Sequence, residues 1–231
     1  MSTPIANNDG TDTLYIIDFD RTLADSDKLL QVFIEITNHY ITLPLAQIEK
    51  IDADIKAKGD SFDTAMFVRD ALAAQARVGE WDKLQQQFIH ESRSLNMLLP
   101  GASELLSFMW ERRKRYGILT YGNPLWQHLK LSASGFNRVN RIVTTNKHKG
   151  VLIASWQQDD GRFVLPSEFG GGVVDTIVLI DDKAASFEGF PSEPSLGYQV
   201  LDYATALPAQ LGNVPRNVTH VSSLQEVIAL L

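Results

Sequence analysis

Apolar positions along this chain alternate between two rhythms. The run Leu14-Tyr15-Ile16-Ile17 stops abruptly at Asp18-Phe19-Asp20-Arg21-Thr22, which predicts a strand buried on both faces and followed by a polar loop. From Asp27 to about Arg93 the spacing becomes helical. Leu29, Val32, Phe33, Ile36 and Tyr40 mark one helix, and Leu45, Ile48, Ile51 and Ile55 mark a second, with Gly59 as its expected C-cap. Ser61 is the expected N-cap of a third helix carrying Met66, Val68, Ala71 and Leu72, and Trp81, Leu84 and Phe88 mark a fourth. The aromatic and methionine content of this stretch reads as the core of a helical bundle.

Helix and strand then alternate. Pro100-Gly101 opens a helix over 102–113, and Tyr116-Gly117-Ile118-Leu119 is a strand ending at Thr120-Tyr121-Gly122-Asn123. A helix from Pro124 stops near Gly135, a strand follows over 139–144, and a helix over 151–156. Gly170-Gly171-Gly172 marks a loop before a strand over 176–180 that ends at Asp181-Asp182. Two more strands, over 198–201 and 218–221, precede a last helix capped by Ser223. This order predicts an α/β protein: a doubly wound, Rossmann-like parallel sheet with helices on both faces. The all-helical stretch interrupts the alternation after the first strand, so residues 27–96 are expected to form an inserted cap domain, with 1–26 and 97–231 as the core.

Ligands of doubly wound sheets bind beyond the carboxyl ends of the strands. At that edge the first strand delivers Asp18 and Asp20, the second Thr120 and Asn123, and the fourth Asp181 and Asp182. One acidic residue after a strand is often only a turn former. Four carboxylates at one edge repel one another unless a cation holds them. Mg²⁺, a hard ion that takes oxygen ligands and keeps sites open for water and phosphate, suits that set.

These segments resemble the signatures of the haloacid dehalogenase-like hydrolases. Asp18-Phe19-Asp20-Arg21-Thr22-Leu23 resembles the first, Asp-x-Asp-x-Thr after a hydrophobic strand; Ile118-Leu119-Thr120-Tyr121-Gly122-Asn123 resembles the second, and Val178-Leu179-Ile180-Asp181-Asp182 the fourth. The third is a lysine, for which Lys147 and Lys149 both qualify; Lys149 is preferred because Lys149-Gly150 directly precedes an apolar helix. The resemblance implies that Asp18 attacks phosphorus to form an aspartyl-phosphate. Asp20 would protonate the leaving oxygen and then activate water. It further implies Mg²⁺ held by Asp18, the carbonyl of Asp20 and one or both of Asp181 and Asp182. Thr120 would bind a phosphoryl oxygen, helped by Tyr121, Gly122 and Asn123 at a helix N-terminus and by the lysine's charge, while Thr22 would order the loop. Members that displace halide lack an aspartate two positions after the nucleophile, and ion-pumping members need transmembrane helices. A phosphatase remains, or alternatively a phosphomutase or a non-catalytic phosphate-ligand binder. A cap of this size implies a small phosphorylated metabolite as substrate. Asp25 and Ser26 would form its hinge, or cap the first cap helix. Signalling receivers use a similar residue set, but in the order acidic pair first and lysine last, which this chain reverses.

Composition narrows the remaining classes. The 231 residues are 44% hydrophobic and 21% charged, enough for a full core. Against 28 acidic residues stand 21 lysines and arginines, and the net charge of −7 implies no general attraction to nucleic acid or to an anionic membrane. No apolar run approaches the roughly 20 residues that span a bilayer, and residues 1–13 are polar rather than a signal peptide, so a cytoplasmic protein is expected. Without cysteine, thiol catalysis and Cys-based zinc sites are excluded. The five histidines show no metal-ligand spacing.

Overall fold

The computed structural model describes residues 12–57, 61–202, 206–207 and 210–231; the expected C-cap at Gly59 lies outside them. The central sheet has six strands, all parallel, in the order β3-β2-β1-β6-β7-β8. They are β1 (Thr13–Ile17), β2 (Arg115–Tyr121), β3 (Arg141–Thr144), β6 (Thr176–Asp181), β7 (Leu196–Val200) and β8 (Val218–Val221). The expected Rossmann-like sheet is present.

The period-2 geometry of strands divides the core in two. Tyr15, Ile17, Ile118, Val178, Ile180 and Tyr198 face one hydrophobic cluster, while Leu14, Ile16, Leu119, Ile177 and Leu179 face the other. Helices α5 (Ala102–Glu111), α6 (Pro124–Ala133) and α8 (Leu224–Leu230) cover the first face through Leu105, Met109, Leu129 and Val227. Helix α7 (Lys149–Ala154) covers the second, joined by a hairpin of β4 (Phe163–Val164) and β5 (Val173–Val174). Sequence periodicity does not anticipate the hairpin, because two residues per strand are too few to show alternation.

Among the described residues between β1 and α5, the regular elements are all helices: α1 (Ser26–Thr37), α2 (Leu45–Lys56), α3 (Thr64–Ala74) and α4 (Glu80–Ser94). Asp25 caps α1 by accepting from the Lys28 N–H at 3.0 Å. Asp63, not Ser61 as the sequence suggests, caps α3 by accepting from the Met66 N–H at 2.9 Å. The two chain segments that enter and leave the helical stretch run side by side, with the Asp25 N–H donating to Met97 O at 2.9 Å and the Leu99 N–H to Leu23 O at 3.0 Å. The helices also pack on α6: Trp126 meets Phe33 at 4.8 Å and Phe88 at 6.0 Å between ring centroids, so one continuous cluster runs from the sheet into α1–α4. Among the described residues no helix is long and apolar enough to cross a membrane.

Candidate active site

The carboxyl edge of the sheet gathers the residues singled out above. Asp18 follows β1 directly and is tied to β6 by its N–H, which donates to Ile180 O at 2.9 Å. Asp181 ends β6 and Asp182 follows it. All three side chains are buried, and one carboxylate oxygen from each lies within 4.8 Å of the others.

Lys149, the first residue of α7, reaches this trio from the side. Its ammonium donates to Asp18 Oδ1 and, at 2.6 Å, to Asp181 Oδ2. The other oxygen of Asp181 accepts the Lys183 N–H at 2.9 Å, so both of its oxygens are occupied. Asp182 Oδ2 accepts from Gln210 at 2.9 Å. Among the described residues, two buried oxygens of this trio have no hydrogen-bond partner: Asp18 Oδ2 and Asp182 Oδ1. Buried carboxylate oxygens normally find donors. These two hard carboxylate oxygens match the donors that a divalent cation of the Mg²⁺ type requires. Gly150 permits the approach of α7, because a β-carbon there would meet Glu188 O at 2.5 Å. Lys149 is buried against the carboxylates, whereas Lys147 is exposed.

Electrostatics follow from burial. Burial pushes the Asp18 carboxyl up to about 6 against the pull of Lys149, and pushes Asp182 up to about 8, with the charges of Asp18 and Asp181 adding to the effect. Burial disfavours the Lys149 ammonium, but Asp18 and Asp181 outweigh it and hold that group above the ordinary lysine value. The Lys183 ammonium is raised in the same way, opposed by burial and favoured first by Asp182.

Asp20 belongs to a separate arrangement. Its Oδ1 accepts from Ser26 Oγ at 2.6 Å and from the Lys130 ammonium, and its Oδ2 accepts from Gln127 Nε2 at 2.7 Å. Burial alone would raise Asp20, yet Lys130 and these hydrogen bonds hold it well below the usual carboxylate range. Burial pulls Lys130 downward while Asp20 pulls it up. Burial prevails at Lys130 and leaves its ammonium below the ordinary lysine value, while at Asp20 the three donors prevail and keep the carboxylate charged.

Thr120, fully buried at the end of β2, donates to Gln127 Oε1 at 3.4 Å, and Gln127 Nε2 also donates to Tyr121 O at 2.8 Å. Gly122 is required here: φ is 150°, and a β-carbon would lie 2.3 Å from Gln127 Nε2. Its N–H donates to Thr144 O at 2.9 Å and is therefore not free for phosphate, contrary to the sequence expectation. Asn123 is the N-cap residue of α6 but makes no side-chain capping bond; its Nδ2 donates to Ser61 O in the insert. The buried Thr22 hydroxyl has no hydrogen-bond partner among the described residues, so it does not order the loop through a hydrogen bond as expected. Backbone bonds do so, from the Leu23 and Ala24 N–H groups to Phe19 O at 3.1 and 2.9 Å.

Sequence reasoning missed Gln127, Lys130, Gln210 and Lys183, and took Ser26 for a hinge or cap residue. One signal was available for α6. Gln127 and Lys130, spaced i and i+3, share a face with apolar neighbours on a mostly buried helix.

The fold is that of the haloacid dehalogenase-like hydrolases. A haloacid dehalogenase-like hydrolase from Burkholderia xenovorans LB400 superimposes with a TM-score of 0.62 at 16% identity, covering 95% of this chain and 96% of its own. The hydrolase YfnB of Bacillus subtilis, bound to magnesium, gives 0.54 at 15% identity, with 94% and 97% covered. CbbY from Rhodobacter sphaeroides, in complex with xylulose-(1,5)-bisphosphate, gives 0.54 at 12%, with 94% and 96% covered. No family model matches the sequence, and no curated protein matches it significantly.

Proposed function

We propose that this protein is a Mg²⁺-dependent phosphatase that hydrolyses a small phosphorylated metabolite through an aspartyl-phosphate at Asp18. One observation carries the reading: the buried trio Asp18, Asp181 and Asp182, with Lys149 between two of its members and two oxygens left without partners. The magnesium of YfnB and the bisphosphate bound to CbbY, both on this fold, support it.

Asp18 Oδ2, Asp182 Oδ1 and the backbone carbonyl of Asp20 would hold the ion, and Asp181 would serve mainly to seat Lys149. When bound, the ion supplies positive charge that offsets repulsion between Asp18 and an anionic phosphate. Lys149 neutralises Asp18 Oδ1 and directs the carboxylate. Asp18 attacks phosphorus, the bond to the leaving oxygen breaks, and Asp20 passes a proton to that oxygen. Asp20 is ionised at rest, so this proton enters with the monoester monoanion. In the second step water attacks phosphorus, its proton goes to Asp20, and Asp18 is released. Thr120 binds a phosphoryl oxygen once substrate displaces its long bond to Gln127. The helices over 27–96 act as a cap that excludes water and bulky substrates, with Asn123 joining α6 to the Ser61 segment.

The test is a screen of phosphorylated metabolites with purified protein. Phosphate release that needs Mg²⁺, stops with excess chelator and is absent in Asp18→Asn supports the reading. Full activity in chelator removes the metal from it, and transfer of the phosphoryl group within one sugar phosphate without net release identifies a phosphomutase instead.

A further inference from the structure

We propose that Lys130, together with Gln127 and Ser26, is a positioning residue that aims the Asp20 carboxylate at the leaving-group oxygen. This rests on the reading of Asp20 as the acid–base group. The three donors come from two elements that are remote in sequence, Ser26 from the first turn of α1 and the other two from α6, and they engage both carboxylate oxygens. A carboxylate bonded on both oxygens from two directions loses its rotational freedom about χ1 and χ2. Lys130 is itself fixed: its side chain is 5% exposed, with the ammonium 5.8 Å from the Phe19 ring centroid and 5.5 Å from that of Trp126.

Stability does not account for a lysine at this place. Its helical neighbours Trp126, Leu129, Leu131 and Ala133 are all buried, and well-packed apolar replacements of a buried ion pair are often as stable as the pair. Lys149 meets Asp18 and Asp181, whereas Lys130 meets Asp20. Each reacting carboxylate thus has its own lysine, and the direction of Asp20 is set independently of the nucleophile.

Aim matters in one step more than in another. As the Asp18–phosphorus bond forms and the phosphorus–oxygen bond breaks, the electron pair stays on the leaving oxygen, which takes its proton from Asp20. An alkoxide needs that proton to depart. An aryl oxide leaves without it.

The experiment compares kcat/KM, which stops at the first irreversible step, for propyl phosphate and 4-nitrophenyl phosphate in the full-length protein with Mg²⁺. Asp20→Asn sets the reference, since loss of the acid lowers the alkyl-to-aryl ratio by roughly 100-fold or more. Lys130→Met is expected to lower the ratio by about 100-fold, and Ser26→Ala, which removes one neutral donor, by about tenfold. A merely structural defect slows both esters alike. The proposal is overturned if folded Lys130→Met and Ser26→Ala keep the wild-type ratio while Asp20→Asn does not. If Lys130→Met does not fold, Ser26→Ala decides. An Asp20→Asn protein with the wild-type ratio overturns the acid–base reading of Asp20 and the positioning role with it, and a wild type inactive on both esters overturns the phosphatase reading itself.

Discussion

The Lys149 ammonium lies 2.6 Å from Asp181 Oδ2, and both side chains are buried at the mouth of the sheet. Lys149 also donates to Asp18, so one charge serves both carboxylates. Replacing Lys149 with methionine leaves two buried carboxylates without their cation. Breaking a buried pair in this way costs about 3–5 kcal/mol. Lys149→Met should lower stability by that order in chemical denaturation at pH 7, lose less at pH 5, where protonation relieves the carboxylates, and abolish phosphate release. Lys147→Ala, on the exposed neighbour, should leave both properties near wild type.

Metal and pH should act together on stability. Without a metal, burial pushes the Asp18 carboxyl up to about 6 and the Asp182 carboxyl up to about 8, above the ordinary value of 3.8. A carboxyl raised by folding favours the folded state below its unfolded pKa, and that contribution is lost as pH rises through the folded value. The metal-free protein should therefore lose stability between pH 4 and about 8. Asp20, depressed by folding, has the opposite sign and acts only at more acid pH. Thermal unfolding with chelator and with Mg²⁺ should diverge as pH rises, the metal raising Tm more at pH 8.5 than at pH 5.5. A Mg²⁺ effect of equal size at both would contradict the assignment of these carboxylates as ligands.

Helices α1, α4 and α6 share an aromatic seam that should be costly to open. Phe33 is fully buried and meets Phe88 at 5.1 Å and Trp126 at 4.8 Å. Phe33→Ala is expected to cost about 3–5 kcal/mol. Trp126→Ala should show a loss of similar order, and a double mutant less than the sum, since both remove one contact. Additive losses in urea titrations would mean that the seam is not a single packed unit.

Much of this arrangement was legible because it follows local rules. β1 announces itself as an apolar run ending in charge, and the order of Asp18, Thr120, Lys149 and the pair Asp181-Asp182 places each at a strand end or at a helix start. What was hidden depends on partners far away in sequence. Ser26 at a helix start looks like an N-cap, yet Asp25 does the capping and Ser26 turns to Asp20. Lys130 looks like one polar residue on a helix until the fold brings Asp20, 110 positions away, against it. Ser61 and Asp63 are both good caps, and only the geometry at Met66 separates them.

The nucleophile is the centre of the account, and rapid quenching of the enzyme during turnover followed by borohydride reduction tests it most directly. An aspartyl-phosphate is reduced to homoserine, while a free carboxylate is not. Peptide mass spectrometry should find homoserine at residue 18 in wild type turning over with Mg²⁺, and none without substrate. Aspartate unchanged at position 18, with homoserine at another acidic residue or at none while phosphate is still released, would contradict it.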